Sequence, residues 1–330
     1  MTAGLAPLPA RYARLVKIEH TVFALPFAYV GAFLAVGGTP SGHDLLWITL
    51  AMVGARSLAM ALNRLIDARI DARNPRTAGR ELPSGQLSVA QVVVFSLASL
   101  ALFLVAVWQL DPIVRWLWPI PVVGFVVYPY LKRFTWLCHF WLGAVDGLAP
   151  VGAWVAITGR LPWQSWMLGA AVAFWVAGFD FFYALFDEEI DRREGLHSIV
   201  TRFGPKGAFV GARLAHAATV AFLVAAGLGL DVGALYWIGV AVVALLLAYE
   251  HSLVRPGDLR RRRGLLHDER RHQRGVRRLR DRGRSGVTRD RYLAPRSGAR
   301  YLSFANRDAC ECGGATRAAD ACATAGRTGR

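Results

Sequence analysis

The stretch Asn63-Arg-Leu-Ile-Asp67-Ala-Arg-Ile-Asp71 ends an apolar run that begins at Leu45. One amide and two carboxylates therefore recur at steps of four residues. On an α-helix each such step advances about 40° beyond a full turn, so the three side chains lie on one face. The stretch predicts a helix that starts in an apolar environment and ends with three oxygen-bearing side chains in a row.

A second stretch repeats this arrangement near the end of a later apolar run, as Asp180-Phe-Phe-Tyr183-Ala-Leu-Phe-Asp187-Glu-Glu-Ile-Asp191. A single Asp at a helix end is usually just solvated. Asp pairs at equal spacing in two different runs are less easily explained, because polar groups at the edge of an apolar segment are costly and usually functional. Carboxylates so close repel one another unless a cation lies between them. We therefore predict that the two stretches face each other and share divalent metal ions.

The rest of the composition predicts a membrane protein. Of the 330 residues, 54% are hydrophobic, and several apolar runs reach about 18 residues, the length that crosses a hydrocarbon core. The fold class that we predict is all-α, a polytopic membrane helical bundle. Eight spans are expected, at residues 20–36, 45–62, 89–110, 114–131, 136–157, 166–186, 208–228 and 232–249, with the fifth broken by Asp146, Gly147 and Pro150 and with polar loops at 72–88 and 187–206.

Basic residues alternate from loop to loop, which predicts the orientation in the bilayer. The N-terminal segment and the loops after the second, fourth, sixth and eighth spans carry Arg and Lys, whereas the intervening loops are short and carry few charges. By the positive-inside rule, both Asp stretches and Lys132-Arg133 lie on the cytoplasmic side. A bacterial inner membrane location, multi-pass, with the active site facing the cytoplasm, is the expectation.

The net charge of +16 does not indicate nucleic acid as a partner. After position 255 the chain has 20 Arg and eight acidic residues, so +12 of the charge lies in the last 75 positions. The preceding part is ordinary for a membrane protein with basic loops. We expect residues 1–259 to form the membrane domain and residues 260–330 to be a disordered, Arg-rich tail.

Doubled Asp pairs beside basic residues suggest a diphosphate held by Mg²⁺, which typically binds one or two carboxylates plus substrate phosphates. A polyprenyl diphosphate explains why such a site lies at a membrane, since its tail needs lipid and its head needs metal. Metal and basic groups would stabilise the leaving diphosphate, and aromatic faces would protect the allylic cation. A transporter whose intramembrane carboxylates bind cations is the alternative from another class.

Asn63 to Gly85 resembles the first Asp-rich motif of the UbiA-type intramembrane prenyltransferases, and Asp180 to Ser198 resembles the second. The similarity extends over about residues 15–259. It is greatest to the 4-hydroxybenzoate polyprenyltransferase-like group, which includes the futalosine-route menaquinone enzymes. Relatives that act on haem, chlorophyll or glycerol-lipid acceptors share these motifs and stay open as alternatives.

The resemblance implies Mg²⁺-dependent transfer of a polyprenyl group from polyprenyl diphosphate to an aromatic acid acceptor, in ubiquinone or menaquinone biosynthesis. It implies that one Mg²⁺ is held by Asn63, Asp67 and Asp71, and another by Asp187 and Asp191. These five residues are the implied catalytic and metal-binding set. The implied substrate-binding residues are Asp180, Tyr183, Lys132 and Arg133, of which the last two could equally be a basic pair that sets topology. We leave His20, His139, Arg64 and Arg69 out of the predicted core site.

The tail departs from the family pattern, which has nine spans where this chain supplies about eight. Arg261 to Arg274 can be encoded so that dropping the first base gives DAAAFFTMNGVIS, which resembles the entrance to the family's last helix. We therefore predict that residues after about Leu259 are out of frame, and that loss of the last helix impairs activity. A basic tail that binds lipid headgroups is the alternative.

Overall fold

The computed structural model of this chain describes residues 7–253, with the side chains of residues 18–23 excepted. The predicted out-of-frame tail lies outside these residues. Within them the chain forms ten helices, and no strand occurs in this part of the chain. The helices are α1 (Leu8–Val16), α2 (Ile18–Val36), α3 (Gly42–Arg73), α4 (Val89–Trp108), α5 (Val114–Leu117), α6 (Pro119–Leu131), α7 (Cys138–Thr158), α8 (Trp163–Arg193), α9 (Ile199–Leu228) and α10 (Ala234–Leu253).

Seven of these segments are long and apolar enough to cross a membrane, with α5 and α6 counted together as residues 114–131. They correspond to seven of the eight predicted spans. The remaining one, residues 20–36, falls in α2, where the apolar portion Ala24–Val36 is shorter. The prediction of an all-α, polytopic helical bundle is confirmed, and the protein is a multi-pass membrane protein.

The helices that carry the Asp stretches are the longest in the described chain. α3 has 32 residues and α8 has 31. At about 1.5 Å per residue, each is longer than the ~30 Å hydrocarbon core, so their charged ends extend beyond it. Ser41 caps the start of α3 by accepting a hydrogen bond from Asp44 N. α3 then continues without a break through Asn63 and Asp71.

The predicted polar loop at 187–206 is wrong, because most of those residues are helical. α8 continues to Arg193, and α9 begins at Ile199 with a capping box between Ser198 and Thr201. The cap satisfies backbone N–H groups at the start of α9. Because the sequence around it is charged, hydropathy does not predict that a helix starts here. Gly204, at φ 71°, bends α9 before Pro205 instead of ending a loop.

The predicted break in the fifth span is also wrong. α7 runs from Cys138 to Thr158 as one helix that contains Asp146 and Pro150. Pro150 is buried, and its backbone lies against Gly31 of α2, where a side chain would collide with it. Such packing between membrane helices allows an internal proline without breaking the helix. α7 thereby packs between α2 and α8.

Candidate active site

One cavity of about 1010 Å³ lies among the helices, and the two Asp stretches lie on it. α3 supplies one side of the lining and α8 supplies another, with α6, α7 and the loop after α3 between them. Its polar end is lined by carboxylates and basic side chains, and its other end by apolar residues of α3, α4 and α7. The lining includes Asn63, Asp67, Asp71, Lys132, Asp180, Tyr183, Asp187 and Asp191.

Asp67 is the most buried of the site carboxylates, with 1% of its surface exposed. Lys132, in the turn that follows α6, donates a charge-assisted hydrogen bond to Asp67 Oδ2. Arg133 reaches Asp67 Oδ1 at 3.5 Å and the carbonyl oxygen of Ile66 at 3.2 Å. A buried carboxylate needs such partners, because an unpaired charge in an apolar surrounding is very costly. Lys132 and Arg133 thus contact the first Asp stretch, but Arg133 does not line the cavity.

Asp71, one turn further along α3, is paired with Arg80. Arg80 Nη1 lies 2.7 Å from both carboxylate oxygens of Asp71. Arg80 comes from the loop after α3, which folds back over the end of that helix. Thr77 Oγ1 of the same loop donates to the carbonyl oxygen of Asp71 at 3.0 Å. The loop therefore brings a guanidinium to the mouth of the cavity.

Asp187 links the same loop to α8. Arg76 makes two parallel hydrogen bonds with it, at 2.8 Å from Nε and 2.5 Å from Nη2, and Asn74 Nδ2 adds a third at 3.3 Å. Burial works to lower the pKa of the Arg76 guanidinium, but the hydrogen bond and charge of Asp187 outweigh it and raise that pKa above its ordinary value. The fork geometry explains why an arginine suits this position.

Asp180 lies two turns before Asp187 on α8, which is about 10 Å along the helix axis. Its Oδ2 is 2.6 Å from His139 Nδ1 of α7. The other ring nitrogen of His139 accepts a hydrogen bond from the backbone N–H of Ile199 at 3.1 Å. His139 is 5% exposed and lines the cavity together with Asp180. Three helices meet at this contact.

A second polar pair lies at the apolar end of the cavity. Arg56 of α3 and Asp146 of α7 form an ion pair at 2.8 Å, and both line the cavity. Arg56 Nε makes no hydrogen bond to any of residues 7–253. Apolar side chains such as Phe27 and Ala149 share this part of the lining. An arginine kept here presents donors to an anionic group in a water-poor surrounding.

Aromatic side chains of α8 follow one another along the cavity. Trp175 stacks on Phe179 with ring centroids 5.9 Å apart, and Phe179 lies 4.8 Å from the ring of Tyr183. Phe27 of α2 approaches Trp175 at 5.2 Å. Their faces suit a ligand that is apolar or carries a delocalised cation.

The two predicted Asp stretches thus meet at one cavity, together with Lys132 and Tyr183. The sequence did not identify Asn74, Arg76 and Arg80 as direct partners of the carboxylates. Asp146 was interpreted as part of a helix break, and Arg56 was not singled out. Their positions along the chain gave no signal of these contacts. Of the residues that we left out of the core site, His139 and Arg64 line the cavity, whereas Arg69 is exposed outside it. The His20 side chain lies outside the described residues.

The donor set fits Mg²⁺. The carboxylates of Asp67, Asp71, Asp187 and Asp191 and the amide of Asn63 supply hard oxygen atoms only. Among residues 7–253 no group of three or more His, Cys, Asp or Glu side chains is arranged to hold a metal by itself. Mg²⁺ typically binds through one or two carboxylates plus substrate phosphates, and each of the two helices offers a pair of carboxylates.

The fold and the site define a multi-pass helical membrane protein with an acidic, arginine-rimmed cavity. The sequence profile of the UbiA prenyltransferase family matches residues 24–267, and the chain therefore belongs to that family and is a prenyltransferase. The match ends eight residues beyond the predicted boundary at position 259.

Two similar proteins carry the same name. The chain is 34% identical over 253 residues to the 4-hydroxybenzoate octaprenyltransferase of Xanthomonas euvesicatoria pv. vesicatoria (strain 85-10), covering 74% of this chain and 82% of that protein. It is 31% identical over 248 residues to the 4-hydroxybenzoate octaprenyltransferase of Vibrio vulnificus (strain CMCP6), covering 74% and 87%.

Solved structures share the fold. A UbiA homolog from Aeropyrum pernix K1, in its apo form, superposes with a TM-score of 0.67 at 36% identity, covering 72% of this chain and 88% of that one. A UbiA homolog from Archaeoglobus fulgidus bound to DMAPP and Mg²⁺ superposes with a TM-score of 0.61 at 21% identity, covering 74% and 86%. The second likeness concerns the fold alone.

Proposed function

We propose that this protein transfers a polyprenyl group from a polyprenyl diphosphate to an aromatic acid, 4-hydroxybenzoate or a dihydroxynaphthoate, in ubiquinone or menaquinone biosynthesis. The observation that carries the proposal is the meeting of two Asp pairs, from α3 and α8, at one cavity that is polar at one end and apolar at the other. Membership of a prenyltransferase family favours this reaction over cation transport. The names of the relatives favour 4-hydroxybenzoate as acceptor.

Asn63, Asp67 and Asp71 would hold one Mg²⁺, and Asp187 and Asp191 another. Bound there, the metal would neutralise charge on the diphosphate and so lower the barrier to C–O ionisation. Lys132, Arg76 and Arg80 already lie beside these carboxylates. Their donors can turn to the phosphate oxygens as the carboxylates engage the metal, and they would then stabilise the leaving group.

A further cation is available to the phosphates. Arg64 is 4% exposed and lines the cavity one residue after Asn63. Its Nε makes no hydrogen bond to any residue of the described chain. A buried N–H donor left without a hydrogen bond is costly, and an anionic ligand would remove that cost. We therefore include Arg64 among the residues that bind the diphosphate.

The acceptor would lie further into the cavity. Arg56 supplies a cation for the carboxylate of an aromatic acid, and Asp146 holds it in place. Trp175, Phe179 and Tyr183 supply ring faces beside the path of the prenyl group. The apolar lining of this end disfavours water, which would slow the capture of an allylic cation by water.

We also propose that the protein lies in the bacterial inner membrane with the polar end of the cavity toward the cytoplasm. The support is the charge bias of the sequence. The basic loop after α3, the turn after α6 and the segment after α8 all adjoin the Asp-bearing ends of α3 and α8. By the positive-inside rule those ends are cytoplasmic.

The test is prenylation by the full chain in membranes, with labelled polyprenyl diphosphate, Mg²⁺ and a panel of acceptors. Asp67→Ala and Asp187→Ala should each abolish both acceptor prenylation and diphosphate release. The matched control is Glu189→Gln, because Glu189 is an exposed carboxylate on α8 that does not line the cavity. Turnover retained in either Asp variant, or equal turnover without divalent metal, would refute the metal site.

The tail bears on the level of activity. We propose that residues 260–330 are out of frame, and that the chain as it stands has reduced activity because the family's last span is missing. Resequencing the locus decides the first point. An intact reading frame that encodes the Arg-rich tail in closely related strains would contradict it.

A further inference from the structure

Prenylation of an aromatic ring includes a second step, in which the proposed metal-binding carboxylates take no part. After the prenyl carbon bonds to the ring, the ring is cationic and still carries the hydrogen of the attacked carbon. That C–H bond must break and its electron pair must return to the ring, so a proton acceptor is required. This proton acceptor has to lie in the cavity and away from the basic side chains that bind the diphosphate.

Asp180 is suitably placed. It lines the cavity about 10 Å along α8 from Asp187, toward the apolar end where Arg56 lies. Asp67, Asp71 and Asp187 each have an Arg or Lys partner, whereas the side chain of Asp180 has a histidine. Within residues 7–253, the hydrogen bond to His139 is the one that the Asp180 side chain makes, and it uses Oδ2. Oδ1 is left for a ligand.

The surroundings of His139 fix its tautomer. Ile199 is the first residue of α9, and its backbone N–H is one of the donors that a helix start cannot satisfy internally. That N–H donates to His139 Nε2 at 3.1 Å. Because a protonated Nε2 could not accept it, the ring is neutral and its proton is on Nδ1. Nδ1–H therefore donates to Asp180 Oδ2.

This chain of hydrogen bonds has a chemical consequence. A donor hydrogen bond stabilises the ionised carboxylate and fixes its orientation. The His139 ring cannot rotate freely, because it is buried and packs edge-to-face on Phe181 with ring centroids 5.3 Å apart. The imidazole and the start of α9 together fix the orientation of this carboxylate in the cavity, with Oδ1 making no hydrogen bond to the described residues.

We propose that Asp180 is the base that removes the ring proton, and that His139 is the positioning residue that holds it. The C–H bond at the prenylated carbon breaks, its electron pair restores the aromatic ring, and the proton forms an O–H bond with Asp180 Oδ1. Nδ1–H of His139 stays in place throughout. The assignment rests on the proposed transfer to an aromatic acceptor.

Two variants test it in the full chain, under single-turnover conditions with enzyme in excess of labelled donor. For Asp180→Asn we expect prenylated acceptor to fall roughly 10²- to 10⁴-fold, the range that a general base contributes. For His139→Gln we expect a fall of about 10²-fold, typical of a misplaced catalytic group. Diphosphate release should persist in both, so that released diphosphate exceeds prenylated acceptor and the remainder of the donor appears as prenyl alcohol.

An acceptor deuterated on the ring provides a measurement that would not change if Asp180 and His139 had only structural roles. C–H cleavage becomes slow in the variants. A primary isotope effect on product formation should therefore appear in Asp180→Asn and His139→Gln, and it should be smaller in the unsubstituted chain. The matched control is His216→Gln, because His216 is also buried and hydrogen-bonded through Nδ1, to His251, but does not line the cavity. In His216→Gln the ratio of released diphosphate to prenylated acceptor should stay at one.

The assignment is overturned if diphosphate release and product formation fall in parallel and no isotope effect appears. A parent chain that releases no diphosphate with any acceptor would instead refute the proposed function. The His139 geometry is decided separately by ¹⁵N NMR of histidine-labelled full chain. A neutral Nδ1–H ring whose signal disappears in His139→Gln and shifts in Asp180→Asn supports the positioning role, and a charged or Nε2–H ring refutes it.

Discussion

At the scale of single residues, the neighbours Lys132 and Arg133 have different environments. Lys132 lines the cavity and bonds Asp67, whereas Arg133 reaches the same carboxylate at 3.5 Å from outside the lining. We expect Lys132→Met to lower turnover by roughly 10²-fold or more, the usual loss when one preorganised donor to a developing anion is removed. It should also lower the Tm, because the buried Asp67 loses its nearest charged partner.

Arg133→Gln is the control for this prediction. It removes the same unit of charge one residue away, so a general effect of basic charge on topology would affect both variants alike. Donor turnover and thermal unfolding in detergent are the measurements. Equal losses in the two variants would show that the pair sets topology or stability and that Lys132 has no separate role.

The sequence is informative about these residues only where the spacing is local. Asp67 and Asp71 are one turn apart, and so are Asp187 and Asp191, so their common faces follow from helix geometry alone. The partner of Asp180 is 41 residues away on another helix, and Arg76 lies 111 residues from Asp187. Contacts between distant residues depend on how the helices cross, and the spacing of residues in the sequence does not predict them.

At the scale of elements, close packing of α7 on α8 positions His139 against Asp180. Gly143 and Gly147 of α7 lie against the backbone carbonyl oxygens of Ala173 and Gly169 on α8. Small residues at such an interface let membrane helices approach closely. Because the obstacle is backbone, a methyl group there can be accommodated only if the helices separate.

We therefore expect Gly143→Ala to destabilise the protein by roughly 1–3 kcal/mol, the usual cost of overpacking, and to lower prenylation as α7 moves from α8. Gly152→Ala is the control on the same helix, because a Cβ at Gly152 meets nothing within 4 Å. Thermal unfolding in detergent measures both. A Gly143→Ala protein as stable as Gly152→Ala would contradict the close approach.

Helix ends were the least predictable elements. Hydropathy located the apolar middles, but α8 and α9 continue well into charged sequence on either side of residues 194–198. Their ends are set by the Ser198 cap and by ion pairs such as Arg73 with Glu194 at 3.1 Å. These are interactions of the folded chain, and hydropathy does not register them.

At the scale of the whole molecule, the site is formed by α3, α6, α7 and α8, while α10 packs on α9 and contributes no residue to the lining of the cavity. α10 has only Val240 and Leu247 buried, and Leu235 and Leu245 are 83% and 70% exposed. Within the described chain, the main helix contact of α10 is with α9. A change confined to the chain after α10 should therefore weaken the fold more than it changes the Asp pairs.

A frame-restored chain, in which the codons after Leu259 are read in the shifted frame, should have a higher Tm and higher turnover than the present chain. Its dependence on Mg²⁺ and its loss of activity in Asp187→Ala should be the same, because the residues of the cavity are unchanged. Prenylation in membranes and thermal unfolding in detergent would be compared for the two chains. A third chain that stops after Leu259 separates a missing helix from an inhibitory tail: it should match the present chain if the helix is what is lacking, and equal turnover in all three would refute the impairment.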